Sequence, residues 1–172
     1  MAFTALMSAV LCVISLISIP LPSGIPLTLQ TFAVALCGYL LGIKLGFISL
    51  LVYLALGAVG LPVFSHAQGG LQVLFGGPTC GFLIGFIPLV LFCGISLCFT
   101  WKKGGIYLRP AIGIIGLLLC HVCGISQYAS VTETPFITAF CVVSLPFLLK
   151  DALLVIGAYV VSIAIKKRIN IK

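Results

Sequence analysis

Two side chains of opposite charge, Lys150 and Asp151, stand next to each other within an apolar run from Phe140 to Ile165. On insertion scales each costs about 2.5–3.5 kcal/mol at the centre of a membrane helix. Neighbouring helix positions point about 100° apart, so the two are not expected to face each other directly. Both are predicted to turn inward, toward a wet cavity. Neutral hydrogen-bonding residues could share that cavity. Gln30 opens a second apolar run, and Ser65, His66, Gln68 and Gln72 lie in an uncharged, glycine-rich stretch from Gly57 to Phe86. Within it, Gly69-Gly70 permits close backbone approach to a ligand. Gly77-Pro78-Thr79 opens the next helix with free amides at its positive end. Irregular, partly apolar backbone between membrane segments is tolerated where it packs in protein or lines a cavity. The stretch therefore reads as lid and wall of a binding site for a small polar solute.

Other chemistries find little footing. Cys120-His121-x-Cys123 lacks the spacing of a structural zinc site and has no second pair at matching distance, so no metal is expected. His121 is read as a core residue or a hydrogen bond between helices. The eight cysteines fall almost all in apolar runs and read as soft core residues rather than a disulfide framework. Glu133 and Asp151 are the two acids, which leaves little scope for paired-carboxylate catalysis. No phosphate-binding G-x-x-x-x-G-K-[ST] loop, H-E-x-x-H, G-x-S-x-G or dinucleotide fingerprint occurs. No catalytic residue is assigned.

The elements that position these residues follow from composition. The chain has 172 residues, 62% hydrophobic and 6% charged, against roughly 45–50% and about 25% in soluble domains. That is the membrane class. The net charge of +7 sits in short clusters beside apolar runs, a topology signal rather than a nucleic-acid footprint. A single transmembrane domain over residues 1–172 is expected, all-α, with six spans: 2–19, 31–41, 45–59, 79–101, 106–125 and 140–165. The first has no positive n-region and is kept as a helix, not a signal peptide. The second and third are short, and the tight break at Gly42-Ile43-Lys44 makes them a helical hairpin. Three prolines stiffen the loop from Pro20 to Thr31, and Thr28 is placed to cap the next helix. The segment from Gln127 to Pro135 is read as a loop.

Lys44, the group Lys102, Lys103 and Arg109, and the tail Lys166, Lys167, Arg168 and Lys172 all fall on one side of such a bundle. By the positive-inside rule both termini are cytoplasmic and the stretch after span three faces outward. Ala5 and Ala9 lie four apart on the first helix, as do Gly38–Gly42 and Gly81–Gly85. Such pairs let helices approach closely, within the bundle or, for Ala5 and Ala9 on an end helix, against another membrane subunit.

Several stretches carry a family resemblance: Pro26-Leu27-Thr28-Leu29-Gln30-Thr31-Phe32, Leu41-Gly42-Ile43-Lys44-Leu45-Gly46, Gly57 to Phe64, Gly69-Gly70, Gly77 to Leu83, and Pro146-Phe147 with Asp151. In order and spacing they cover most of the chain, which resembles the BioY family, the biotin-specific substrate-binding subunits (S-components) of energy-coupling-factor (ECF) transporters. The resemblance implies a six-helix, multi-pass protein of the bacterial plasma membrane. It would bind biotin as transported ligand, with no cofactor, and work with a transmembrane coupling subunit and two ATPase subunits. A homodimer acting alone stays open. The implied site uses Gln30, the Gly69-Gly70 backbone, Gln72 at the ureido ring, Gly81 and Phe82 against the fused rings, and Asp151 accepting ureido N–H groups. Ala5-x-x-x-Ala9 matches the family's docking motif. Members usually show Gly-Gly-Tyr where this chain has Cys80-Gly81-Phe82, and often a Lys where it has Leu154. Lys150, four residues earlier on the same helical face, is expected to stand in. The residues alone support an outward-facing binder of a small solute. An S-component for a precursor such as dethiobiotin, a small membrane enzyme using Lys150, Asp151 and His121, and a purely structural bundle remain as alternatives.

Overall fold

The apolar runs fold as helices because a backbone away from water must satisfy its own hydrogen bonds. The computed structural model of the chain describes residues 1–20, 25–99 and 105–169. Its α-helices are α1 (Ala2–Leu16), α2 (Gln30–Ala58), α3 (Leu71–Phe75), α4 (Cys80–Ile95), α5 (Gly105–Thr132), α6 (Phe136–Val143) and α7 (Leu145–Ile169). Two short strands, β1 (Ser18–Ile19) and β2 (Leu27–Thr28), pair antiparallel with Ser18 opposite Thr28. A 3₁₀ turn spans Ser65–Ala67. The expected features at Leu21 to Gly24, at Trp101, Lys102 and Lys103, and at Lys172 lie outside the described residues. Helix α2, Tyr107–Thr132 of α5 and Leu145–Arg168 of α7 are long and apolar enough to cross a membrane, while α1 and α4 are apolar but shorter.

Helix α2 is not straight. Gly42 sits at φ 75°, ψ −170°, a conformation open in practice to glycine alone. The arms on either side fold back on each other. Gly46 meets the Cys37 carbonyl and Gly38, and Gln30 Nε2 donates to the Tyr53 hydroxyl at 2.9 Å. The expected hairpin is therefore present, with Gly42 as its turn.

Helix α4 packs between α2 and α5, and α2 also meets α1 and α7. Tyr39, Tyr53, Leu50, Leu89, Leu117 and Val155 form the dry centre. Polar contacts join α1 to the second arm of α2. Ser8 Oγ donates to the Ser49 carbonyl at 3.0 Å, and Ser49 Oγ to the Thr4 carbonyl at 3.2 Å. The glycine pairs serve this packing: Gly38 lies against Val90 and Cys93 of α4, and Gly85 against Cys120 of α5.

Four boundaries differ from expectation, one of them at α4, which ends at Ile95, short of the expected end at 101. Helix α1 ends at Leu16 and the chain turns into β1. The segment from Gln127 to Thr132 is helix, not loop, because nothing in it breaks a helix. Ser126, Ser130 and Thr132 return their hydroxyls to carbonyls four residues back, at 2.8, 2.9 and 2.7 Å. The last apolar run is two helices, since Ser144 at φ −117°, ψ −51° separates α6 from α7. Pro146, in the first turn of α7, has no N–H to continue α6.

Candidate binding site

Asp151 anchors the site from the buried face of α7. Its side chain is 9% exposed, with Oδ2 3.5 Å from His121 Nε2 and Oδ1 2.9 Å from Lys150 Nζ. The Lys150 contact is an ion pair without hydrogen-bond geometry, so Oδ1 has no hydrogen-bond donor among the described residues. Lys150 spends a hydrogen bond elsewhere, on the carbonyl of Thr28 at 2.9 Å. Its Nζ also lies 5.6 Å from the Phe147 ring centre. The expectation that the two neighbours would not meet is corrected here. The four-carbon Lys stem is long enough to bring its head back to the adjacent carboxylate.

His121, in α5, is fixed from both sides. Its Nδ1 lies 2.9 Å from Ser144 Oγ, at the break between α6 and α7. Its ring stands edge-on to Phe82, with centres 5.8 Å apart. From β2 and the start of α2 comes a second polar line. Thr28 Oγ1 donates to Gln30 Oε1 at 3.2 Å, and Gln30 donates to Tyr53. Thr28 does not cap α2 with its side chain; Leu29 is the cap residue, and the hydroxyl goes to Gln30 instead. Thr28 thus links the ion pair to the Gln30–Tyr53 line.

These groups surround a narrow cavity of about 50 Å³ lined by Thr28, Gln30, Thr31, Phe64, Phe82, Phe86, His121, Phe147 and Asp151, among others. A second, wider pocket of about 370 Å³ is lined by His66, Gln68, Gly69, Gln72, Gly76, Gly77 and Pro78, among others. Pro26, Ser65, Val73 and Thr79 line both. The arrangement is an apolar and aromatic slot closed by one carboxylate, opening past Thr79 into a polar vestibule. Such a slot suits a flat, neutral ring with N–H groups aimed at Asp151.

The structure sorts the expected site residues. Gln30, Phe82 and Asp151 meet at the inner cavity. Lys150 stands behind Asp151, bonded to Thr28, and does not line the cavity. Gly69 and Gln72 line the vestibule. Gly69 also presses on the Leu61 carbonyl, where a Cβ would not fit. Gly70, at φ 103°, gives its N–H to the Gly57 carbonyl at 2.7 Å and opens α3 rather than lining a pocket. Gly81 lines neither cavity; it is pressed against Cys123 and Gln127 of α5, because a helix face shared with Gly85 is taken up by packing. Ala5 and Ala9 are exposed on α1, away from the face formed by Thr4, Met7, Ser8 and Leu11. Tyr53, Thr31, Ser144 and the pairing of His121 with Asp151 escaped the sequence reading. Only the surplus of polar residues in apolar runs could have signalled them.

Residues 1–171 match the BioY family. The chain is 42% identical over 118 residues to the biotin transporter BioY of Thermotoga maritima, covering 69% of this chain and 67% of that one. It is 38% identical over 127 residues to a probable biotin transporter BioY of Pyrococcus horikoshii, covering 74% and 72%. It is 33% identical over 151 residues to the biotin transporter BioY of Rhizobium etli, covering 81% and 79%. Its fold is similar to the crystal structure of the S-component for biotin from an ECF-type ABC transporter. The TM-score is 0.86 at 26% identity, covering 96% of this chain and 89% of that one.

Proposed function

The chain belongs to the BioY family, and on that premise we propose that it is the biotin-binding subunit of an ATP-driven uptake system. The observation that carries the reading at this site is Asp151 Oδ1. It is a buried carboxylate oxygen beside an aromatic slot, 2.9 Å from the Lys150 ammonium yet without a well-aligned hydrogen bond among the described residues. A ureido N–H supplies the missing donor, and a charge-assisted bond of that kind is among the stronger ones. Phe82, Phe86 and Phe147 offer apolar surface to the fused rings, and Gln30 offers its remaining amide N–H to the ureido oxygen. The valerate chain runs outward to the vestibule at Gln72 and Thr79. The inner cavity, at about 50 Å³, has room for a few water molecules but not for a ligand of two fused rings. Biotin therefore enters by displacing the stretch from Gly60 to Gly77.

The proposed topology has six crossings in a bacterial plasma membrane, with the two arms of α2 as the second and third and both termini in the cytoplasm. The Ala5–Ala9 face of α1 docks on a transmembrane coupling subunit, which two ATPase subunits drive. In this reading one chain supplies the groups of the site, and the ligand is bound and released unchanged.

Equilibrium binding to the detergent-purified chain tests the reading, with biotin and dethiobiotin titrated side by side and the ligand recovered afterwards. Tight, reversible binding of unchanged biotin is expected. A folded preparation that prefers dethiobiotin, binds neither, or returns an altered ligand overturns it.

A further inference from the structure

Far from this site, α5 and α7 enclose an apolar groove of about 450 Å³, floored by Ala111, Ile114, Ile156 and Ile163 with Tyr107 and Tyr159 at its sides. Arg109 lies on α5 beside the groove residues Tyr107 and Pro110, and Lys166 follows Ile163 by one turn on α7. Both cations are half-buried, and both lie at the same end of the α5–α7 pair. Arg109 Nε is buried and has no acceptor among the described residues. The two acidic side chains are elsewhere: Asp151 is held by Lys150 and His121, and Glu133 lies beyond the far end of α5, about 36 Å away along the helix. Two cations at the same end of a membrane helix pair, with both acidic side chains elsewhere, call for an anion from outside.

The groove says which anion. From Lys166 back to Ile156 is about 15 Å at the helical rise, half of a hydrocarbon core of about 30 Å. The apolar channel therefore runs the depth of one leaflet from a cationic mouth. A soluble phosphate leaves the channel unused, and a neutral lipid leaves the charges unmatched. We propose that the α5–α7 groove binds one anionic phospholipid, its phosphate at Arg109 and Lys166 and an acyl chain along Ala111, Ile114, Ile156 and Ile163.

Native mass spectrometry of the delipidated, full-length chain tests this, titrating phosphatidylglycerol, phosphatidylcholine of the same acyl chains, and inorganic phosphate. Phosphatidylglycerol is expected to bind at least about five-fold tighter than phosphatidylcholine. Lys166→Gln and Arg109→Gln should each weaken it about five-fold, the scale of one cation at an anionic lipid surface. Ala111→Phe, which fills the groove while leaving both cations, should weaken both lipids. Equal binding of the two lipids, full competition by inorganic phosphate, or unchanged binding in Lys166→Gln and Ala111→Phe overturns the site. If Arg109→Gln does not fold, the other two variants decide. Biotin binding, at the other end of the bundle, should stay unchanged in all folded variants. Its absence from the parent chain would count against the transport reading alone.

Discussion

The ammonium of Lys150 donates to the backbone carbonyl of Thr28, at 2.9 Å and across 122 positions of sequence. This bond ties α7 to the strand that leads into α2, and it holds the Lys head beside Asp151. Removing Lys150 should therefore do two things at once: free the Thr28 strand and strand a buried carboxylate. For fully buried pairs the loss of one partner costs about 3–5 kcal/mol. With the Lys side chain 24% exposed, Lys150→Leu is expected to cost roughly half of that. Adding Asp151→Leu should recover part of it. Thermal melting in detergent, run as a double-mutant cycle, measures both.

Asp151→Asn keeps the shape and removes the charge. A hydrogen bond to a charged group is worth about 1.5–3 kcal/mol, so biotin affinity should fall roughly ten- to a hundred-fold. Isothermal titration of the purified variant checks this. Affinity within two-fold of the parent would remove Asp151 from the site.

Ser144→Ala leaves His121 Nδ1 without its 2.9 Å partner and the imidazole free to turn from Asp151. A neutral hydrogen bond contributes about 0.5–1.5 kcal/mol, so a smaller loss is expected, around five-fold in biotin affinity. In the Asp151→Asn background the Ser144→Ala effect should vanish, since His121 would no longer have a charge to orient. An equal loss in both backgrounds would show that Ser144 acts by packing alone.

Gly42→Ala isolates backbone strain. A Cβ at this position meets nothing within 4 Å, yet φ is +75°. Strain in such a region costs of order 1–3 kcal/mol. The melting temperature should drop while biotin affinity in the folded fraction holds, because Gly42 is at the opposite end of the hairpin from Gln30.

On α1, Ala5→Trp with Ala9→Trp should leave biotin binding within two-fold and abolish co-purification with the coupling subunit. Both positions are exposed and lie off the face that packs on α2. Loss of biotin binding in a folded variant would instead place this face in the bundle's own stability.

Much of the fold was legible in the chain because apolar length and glycine position are local properties. A run of apolar residues must close its own hydrogen bonds wherever it lies, and Gly42 breaks α2 whatever surrounds it. Local rules failed at Gln127 to Thr132, expected as loop, where Ser130 and Thr132 instead bond back into their own helix. They failed again at Ser144, where one residue between Val143 and Leu145 divides a continuous apolar run.

For the site, the sequence by itself determined that Asp151, Lys150 and Gln30 needed a wet or polar place, because a charge or amide in an apolar run carries its desolvation cost in any fold. Which groups met that need was decided only by tertiary structure. The hairpin at Gly42 brought Tyr53 to Gln30, packing against α5 diverted Gly81 from the cavity, and the α6–α7 break set Ser144 against His121 and so His121 against Asp151. Residue type fixes what must be satisfied. Helix packing over tens of residues fixes by what, because a hydrogen bond works only within about 3 Å and no local spacing specifies that distance across the bundle.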